Sequence, residues 1–177
     1  MTPHVVLVGF MGAGKSTIGV LLARELARPF VDTDALVVER YGPIEAIFAR
    51  EGVARFREYE RQVVHQALAG EPAVIALGGG AVTHPPTRAL LEGRAVRVYL
   101  DVPVASLVAR LQRSSTVRPV LGAEGPTHDR VRTLLAAREP LYRQAEFVVP
   151  ASGRSKPALA RRIAALVRTA KALPGTA

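Results

Sequence analysis

A chain of 177 residues, 49% hydrophobic and 22% charged, has the length for one domain with a sizeable core and the balance of a water-soluble globular protein. It contains no cysteine, which excludes disulfides, thiolate metal sites and cysteine nucleophiles and fits a cytoplasmic location; no apolar run approaches the about 18 residues of a membrane span. The net charge of +9 comes from 21 arginines and 3 lysines scattered along the chain, and with 5% aromatic residues a base-stacking nucleic-acid surface is not expected.

The N-terminus leads directly into Val5–Val8, leaving no room for a signal peptide, and this β-branched run reads as a buried parallel strand. A glycine-rich loop follows, then a helix from Lys15 to about Ala27 with Ile18, Leu21, Leu22 and Leu26 on one face. Pro29–Val31 is a second strand ending in Asp32-Thr33-Asp34, and helical patterns cover Ala35–Arg40, Ile44–Ala49 and about Val53–Ala69. A third strand, Ala73–Leu77, stops at Gly78-Gly79-Gly80, before a short helix over Pro85–Glu92. Ala95–Leu100 is the fourth strand, and Asp101 with Pro103 reads as the entry to a helix over Val104–Leu111. Residues 113–127 have no clear period and are long enough to act as a lid. A helix over Asp129–Gln144, a strand over Phe147–Val149 and a basic amphipathic helix over Lys156–Lys171 complete a single domain at 1–172, with 173–177 as a frayed tail. Strands alternating with helices predict an α/β fold with a parallel sheet and helices on both faces.

Gly9 to Thr17 spells Gly, four residues, Gly, Lys, Ser, between a strand and a helix. This is the phosphate-binding P-loop pattern. Glycines let the backbone turn several N–H groups toward one anion, and the helix N-terminus adds its positive end. Gly12, Ala13, Gly14, Lys15, Ser16 and Thr17 are therefore the expected nucleotide-binding residues, with Lys15 on the β- and γ-phosphates and the Ser16 hydroxyl on Mg²⁺. In such sheets ligands bind beyond the carboxyl ends of the strands. Asp32 and Asp34, one residue apart at a strand tip, suit one carboxylate for Mg²⁺ and one for a substrate hydroxyl. The competing reading is a solvated turn with Asp34 capping the next helix. Gly79 and Gly80 can admit a substrate close to the backbone, because no Cβ stands in the way. Arg57, with Glu60 three residues on to hold its guanidinium, Arg118 before Pro119, and Arg138 before Glu139-Pro140-Leu141-Tyr142 stand out among the arginines.

These motifs in this order resemble the shikimate kinases, small P-loop kinases of aromatic amino-acid biosynthesis, from Val5 to about Leu166. Gly12–Gly19 with Leu22-Ala23, Phe30–Asp34, Ile47-Phe48, Gly52, Phe56-Arg57 with Glu60, Ala76–Ala81, Arg118-Pro119, and Arg138 with Leu141-Tyr142 carry the likeness. The resemblance implies a three-layer α/β/α fold of the nucleoside monophosphate kinase type, with five strands in the order 2-3-1-4-5. It implies a substrate-binding subdomain at about 33–60 and a lid at about 113–127. It further implies transfer of the ATP γ-phosphoryl group to the 3-hydroxyl of shikimate, on the way to chorismate. In that scheme Lys15 contacts the phosphates, Ser16 and Asp32 serve Mg²⁺, and Asp34 binds the substrate hydroxyls as candidate base. Arg57, Arg138 and the backbone at Gly79 and Gly80 hold shikimate, Arg118 swings in with the lid, and Arg110 and Arg154 lie on the adenine side. The chain departs from the pattern at Val53, where the family usually has Glu, at Pro43 in place of Ser or Thr, and at Glu45, whose acid stands one position early.

Another small-molecule P-loop kinase, such as a gluconate kinase relative, is an alternative, since gluconate also carries a carboxylate. So is a nucleotide-binding module without catalysis. The absence of any asparagine removes the Asn-Lys-x-Asp motif of guanine-specific GTPases. With no large apolar face left over, a monomer is expected.

Overall fold

A computed structural model describes residues 2–114, 119–122 and 125–170. Its sheet is built outward from β1 (His4–Val8), whose five residues are all buried. A strand buried on both faces needs apolar side chains throughout, which is why this segment runs nearly unbroken in Val and Leu. β1 pairs in parallel with β3 (Val74–Ala76) on one side and β4 (Ala95–Asp101) on the other. β2 (Phe30–Asp32) and β5 (Phe147–Pro150) form the edges, so the order is β2-β3-β1-β4-β5, as the resemblance implied. Every pairing is parallel, so all five strands deliver their carboxyl ends to one rim.

Helices cover the sheet in the three-layer arrangement of P-loop kinases. α1 (Lys15–Leu26) packs against α7 (Lys156–Ala170), and α5 (Val104–Gln112) packs against α6 (His128–Tyr142). α1 approaches the sheet closely because residue 19 is glycine: a Cβ there would overlap the Phe30 ring from β2. The main core joins the buried sheet residues to Leu22, Leu107, Val131, Tyr142 and Ile163 from these helices.

A second, smaller core of Val37, Ile47, Phe56 and Val63 lies between α2 (Thr33–Tyr41) and α3 (Ile44–Ala69). α3 is broken at Gly52, whose φ of 78° is left-handed, so the helical patterns on either side of it are distinct segments. The fold differs from expectation at small points. Ala27 caps α1 with φ 51° instead of continuing it. Ala81–Thr83 after the triple glycine and Pro119–Leu121 within the expected lid form 3-10 turns. Asp101 closes β4 and pairs with Arg143 at 3.4 Å; it makes no cap for α5. A strand-end carboxylate facing α6 finds a guanidinium there, a tertiary contact that a local helix-entry reading could not include. Among the described residues, no helix is long and apolar enough to cross a membrane.

Candidate active site

β1 ends in the loop that governs the rim. Gly9, Gly12 and Gly14 have φ of 144°, 78° and 95°, conformations that side-chain-bearing residues avoid. Gly14 caps α1 without any side-chain hydrogen bond to the first-turn amides, which leaves those donors to an anion. The Lys15 ammonium donates to the carbonyls of Gly9 at 2.8 Å and Phe10 at 3.0 Å, folding back over the loop. Arg110, in the last turn of α5, donates to the carbonyls of Gly12 and Ala13 at 3.2 and 3.1 Å. The side chain assigned to the adenine side thus clasps the outside of the phosphate loop.

The tip of β2 faces this loop. Ser16 donates its hydroxyl to Asp32 Oδ2 at 2.5 Å, while Asp32 Oδ1 accepts the backbone N–H groups of Asp34 and Ala35. Asp32, and not Asp34, is therefore the cap of α2. A hydroxyl and a carboxylate held together at a phosphate loop are hard oxygen donors of the kind Mg²⁺ takes, with its remaining positions left to phosphates and water. Among the described residues no cluster of three or more acidic or histidine side chains could hold a metal by itself.

Thr33 is buried and joins the tips of β2 and β3: its hydroxyl donates to the Ala76 carbonyl at 3.3 Å and accepts the Gly78 N–H at 3.0 Å. This junction brings the Asp34 carboxylate to Gly78, where a Cβ would overlap both Asp34 Oδ1 and Glu60 Oε1. Glu60 is fully buried and accepts from Arg57 Nη1 at 2.5 Å. Among the described residues its other oxygen, Oε1, finds no hydrogen-bond partner. Burial pushes the Glu60 carboxyl up to about 7, against the pull of Arg57. The i, i+3 pairing of Arg57 with Glu60 expected from the sequence is present. Glycine at position 80 makes room for Arg57, since a Cβ would overlap its guanidinium. Arg138, from α6, is 8% exposed and lies over the Phe10 ring at 5.7 Å.

These groups share one cleft of about 500 Å³. The phosphate loop, Asp32 and Asp34 form one wall; Arg57, Glu60, Gly79, Gly80 and Arg138 form another; Ile44, Phe48 and Phe56 add an apolar face. Pro119 and Val120 also line it, although Arg118 itself lies outside the described residues. Arg154 is exposed in the turn before α7 and is not among the cleft's lining residues. A P-loop, a Ser–Asp pair for a metal, a carboxylate at a strand tip and two inward arginines are the parts needed to move a phosphoryl group onto a small anionic acceptor.

Comparison with known proteins agrees. The shikimate kinase family model matches residues 11–168. The chain belongs to the shikimate kinase family. A shikimate kinase from Mycobacterium avium is 45% identical over 159 residues, covering 89% of this chain and 88% of that protein. The structure of shikimate kinase from Acinetobacter baumannii in complex with shikimate superposes with a TM-score of 0.90 at 38% identity, over 97% of this chain and 96% of that one. A gluconokinase from Sinorhizobium meliloti matches at TM-score 0.66 and 20% identity, over 96% of this chain and 94% of that chain, a likeness of fold alone.

Set against the shikimate kinase pattern, the departures are local. Val53 is 55% exposed, just past the break at Gly52, and Pro43 precedes α3 as its cap. Glu45 lines the cleft. Sequence reasoning overlooked the apolar face of Ile44, Phe48 and Phe56, although the spacing of 44 and 48 carried the helical signal. Tyr142 stands in a motif whose spacing gives it no role of its own.

Proposed function

We propose that the chain transfers the γ-phosphoryl group of ATP to the 3-hydroxyl of shikimate, giving shikimate 3-phosphate and ADP. The observation that carries this reading is the convergence of Arg57, Arg138 and Asp34 on one cleft with the phosphate loop. Two guanidiniums suit a planar carboxylate, and a carboxylate between them and the loop suits the acceptor hydroxyl. The shikimate kinase from Acinetobacter baumannii, whose structure is a complex with shikimate, has the same fold.

In this mechanism the loop amides from Gly12 to Thr17 cradle the phosphates, and Lys15 leaves the loop carbonyls to reach the β- and γ-oxygens. Ser16 and Asp32 would hold Mg²⁺, which when bound neutralises charge on the phosphate oxygens. Asp34 orients the acceptor hydroxyl and takes its proton as the new bond forms. Arg57, braced by Glu60, and Arg138 grip the carboxylate, while Gly79 and Gly80 let the ring lie against the backbone. Arg118 closes with the lid at about 113–127 toward the transferring phosphoryl group, excluding water that would compete with the substrate hydroxyl.

Arg110 contributes on the nucleotide side through the loop, and Arg154, exposed in the turn before α7, is the second residue assigned to the adenine side. We read 1–172 as one kinase domain with a substrate-binding subdomain at about 33–60, acting as a cytoplasmic monomer without a nucleic-acid partner. An assay of ADP release with shikimate and with gluconate tests the reading. Turnover should depend on shikimate; release that responds to gluconate but not to shikimate would overturn it.

A further inference from the structure

Tyr142 closes α6 and is 1% exposed, with its ring stacked on Tyr99 at a centroid distance of 5.2 Å. It does not line the cleft. Phenylalanine would fill the same core volume, so the feature needing an explanation is the hydroxyl, a polar group taken fully out of water. That hydroxyl donates to the carbonyl of Gly79. The Arg138 guanidinium, one turn back on α6, is a charged neighbour of the same hydroxyl. The i, i+4 spacing puts the two side chains on one helix face.

The first contact fixes a direction. No described peptide bond is cis, and in a trans peptide the carbonyl and the following N–H point to opposite sides. Holding the Gly79 carbonyl toward α6 therefore turns the Gly80 N–H the other way, at a residue that lines the cleft beside Arg57. Gly79 cannot easily rotate to escape this. Its backbone is packed against the entry of the phosphate loop, where an added Cβ would stand 3.0 Å from Met11 N and 3.6 Å from the Gly9 carbonyl. Arg138, one turn back on the same helix, has its guanidinium over Phe10.

We propose that Tyr142 is a positioning residue for the acceptor: its hydroxyl, by holding the Gly79 carbonyl, sets the direction from which the Gly80 N–H meets the substrate. The proposal rests on the reading above that Gly80 and Arg138 bind an acidic acceptor. It makes Tyr142 a determinant of acceptor affinity without contact to the acceptor.

The test is Tyr142→Phe, which deletes one oxygen and keeps the ring, compared with wild type and with Arg138→Ala in steady-state kinetics, thermal unfolding and calorimetric titration with shikimate. The expected result is a KM and Kd for shikimate raised about fivefold, as for loss of one hydrogen bond, with the KM for ATP within about twofold. A lowered Tm with shikimate KM and Kd unchanged would show a structural hydroxyl only and overturn the proposal. Arg138→Ala separates the two levels. If it raises the shikimate KM while Tyr142→Phe does not, this inference fails alone; if neither variant changes it, the carboxylate reading fails as well.

Discussion

Replacing Glu60 by glutamine removes a carboxyl group that is fully buried and held by Arg57 at 2.5 Å, and it should flatten the pH dependence of stability. Folding raises this carboxyl from 4.5 to about 7, because burial outweighs the attraction of Arg57 and nearby Asp34 adds repulsion. The folded protein therefore binds the proton more tightly than the unfolded chain. The associated stabilisation is complete below pH 4.5 and is lost as the pH rises through about 7. The gap corresponds to roughly 3 kcal/mol, most of it between about pH 5 and pH 8.5. For a chain of this length that is roughly 5–10 °C in Tm. Urea and thermal unfolding of both proteins across that interval measure it. His4, which burial lowers, titrates in both proteins and drops out of the difference. Wild type should lose stability relative to Glu60→Gln as the pH rises; parallel profiles would refute the assignment of a raised, buried carboxyl.

Lys15→Ala should lower kcat by roughly 10³-fold or more if the ammonium stabilises the transferring phosphoryl group; a change confined to the KM for ATP would limit it to ground-state binding. Asp34→Asn should abolish turnover and leave ADP binding by calorimetry intact, and a near-normal kcat would exclude it as the base. Arg110→Ala should weaken inhibition by inorganic tripolyphosphate as much as it weakens ATP binding, because the clasp acts on the loop carbonyls. Unaltered tripolyphosphate inhibition beside weakened ATP binding would return Arg110 to the adenine.

Much of the architecture was local and therefore legible. The apolar run of β1, the loop between Gly9 and Thr17 and the helix after it are specified by side-chain period and by the backbone freedom of glycine, within about twenty residues of one another. The Arg57–Glu60 pair lies three residues apart on one helix and could be read in the same way. The two aspartates at the tip of β2 were visible as a pair, and the resemblance paired Asp32 with Ser16, but which of them caps α2 was not legible. Asp32 became both the cap of α2 and the partner of Ser16 because the strand tip faces the phosphate loop across 16 positions of sequence.

Contacts between distant segments needed the folded chain. Arg110 meets the loop 97 and 98 residues away, and Tyr142 meets Gly79 across 63. No period or spacing encodes such pairings, since they depend on how α5 and α6 cross the sheet. The charge state of Glu60 is likewise a tertiary property: a carboxyl three residues from an arginine on an exposed helix would be lowered, and only complete burial reverses the sign. The amino-acid sequence by itself determined that a nucleotide phosphate is bound and which side chains are available to an acceptor. Tertiary structure decided which of those side chains share a cleft, which hold one another in place, and which stay in solvent, because burial and long-range contact are set by packing.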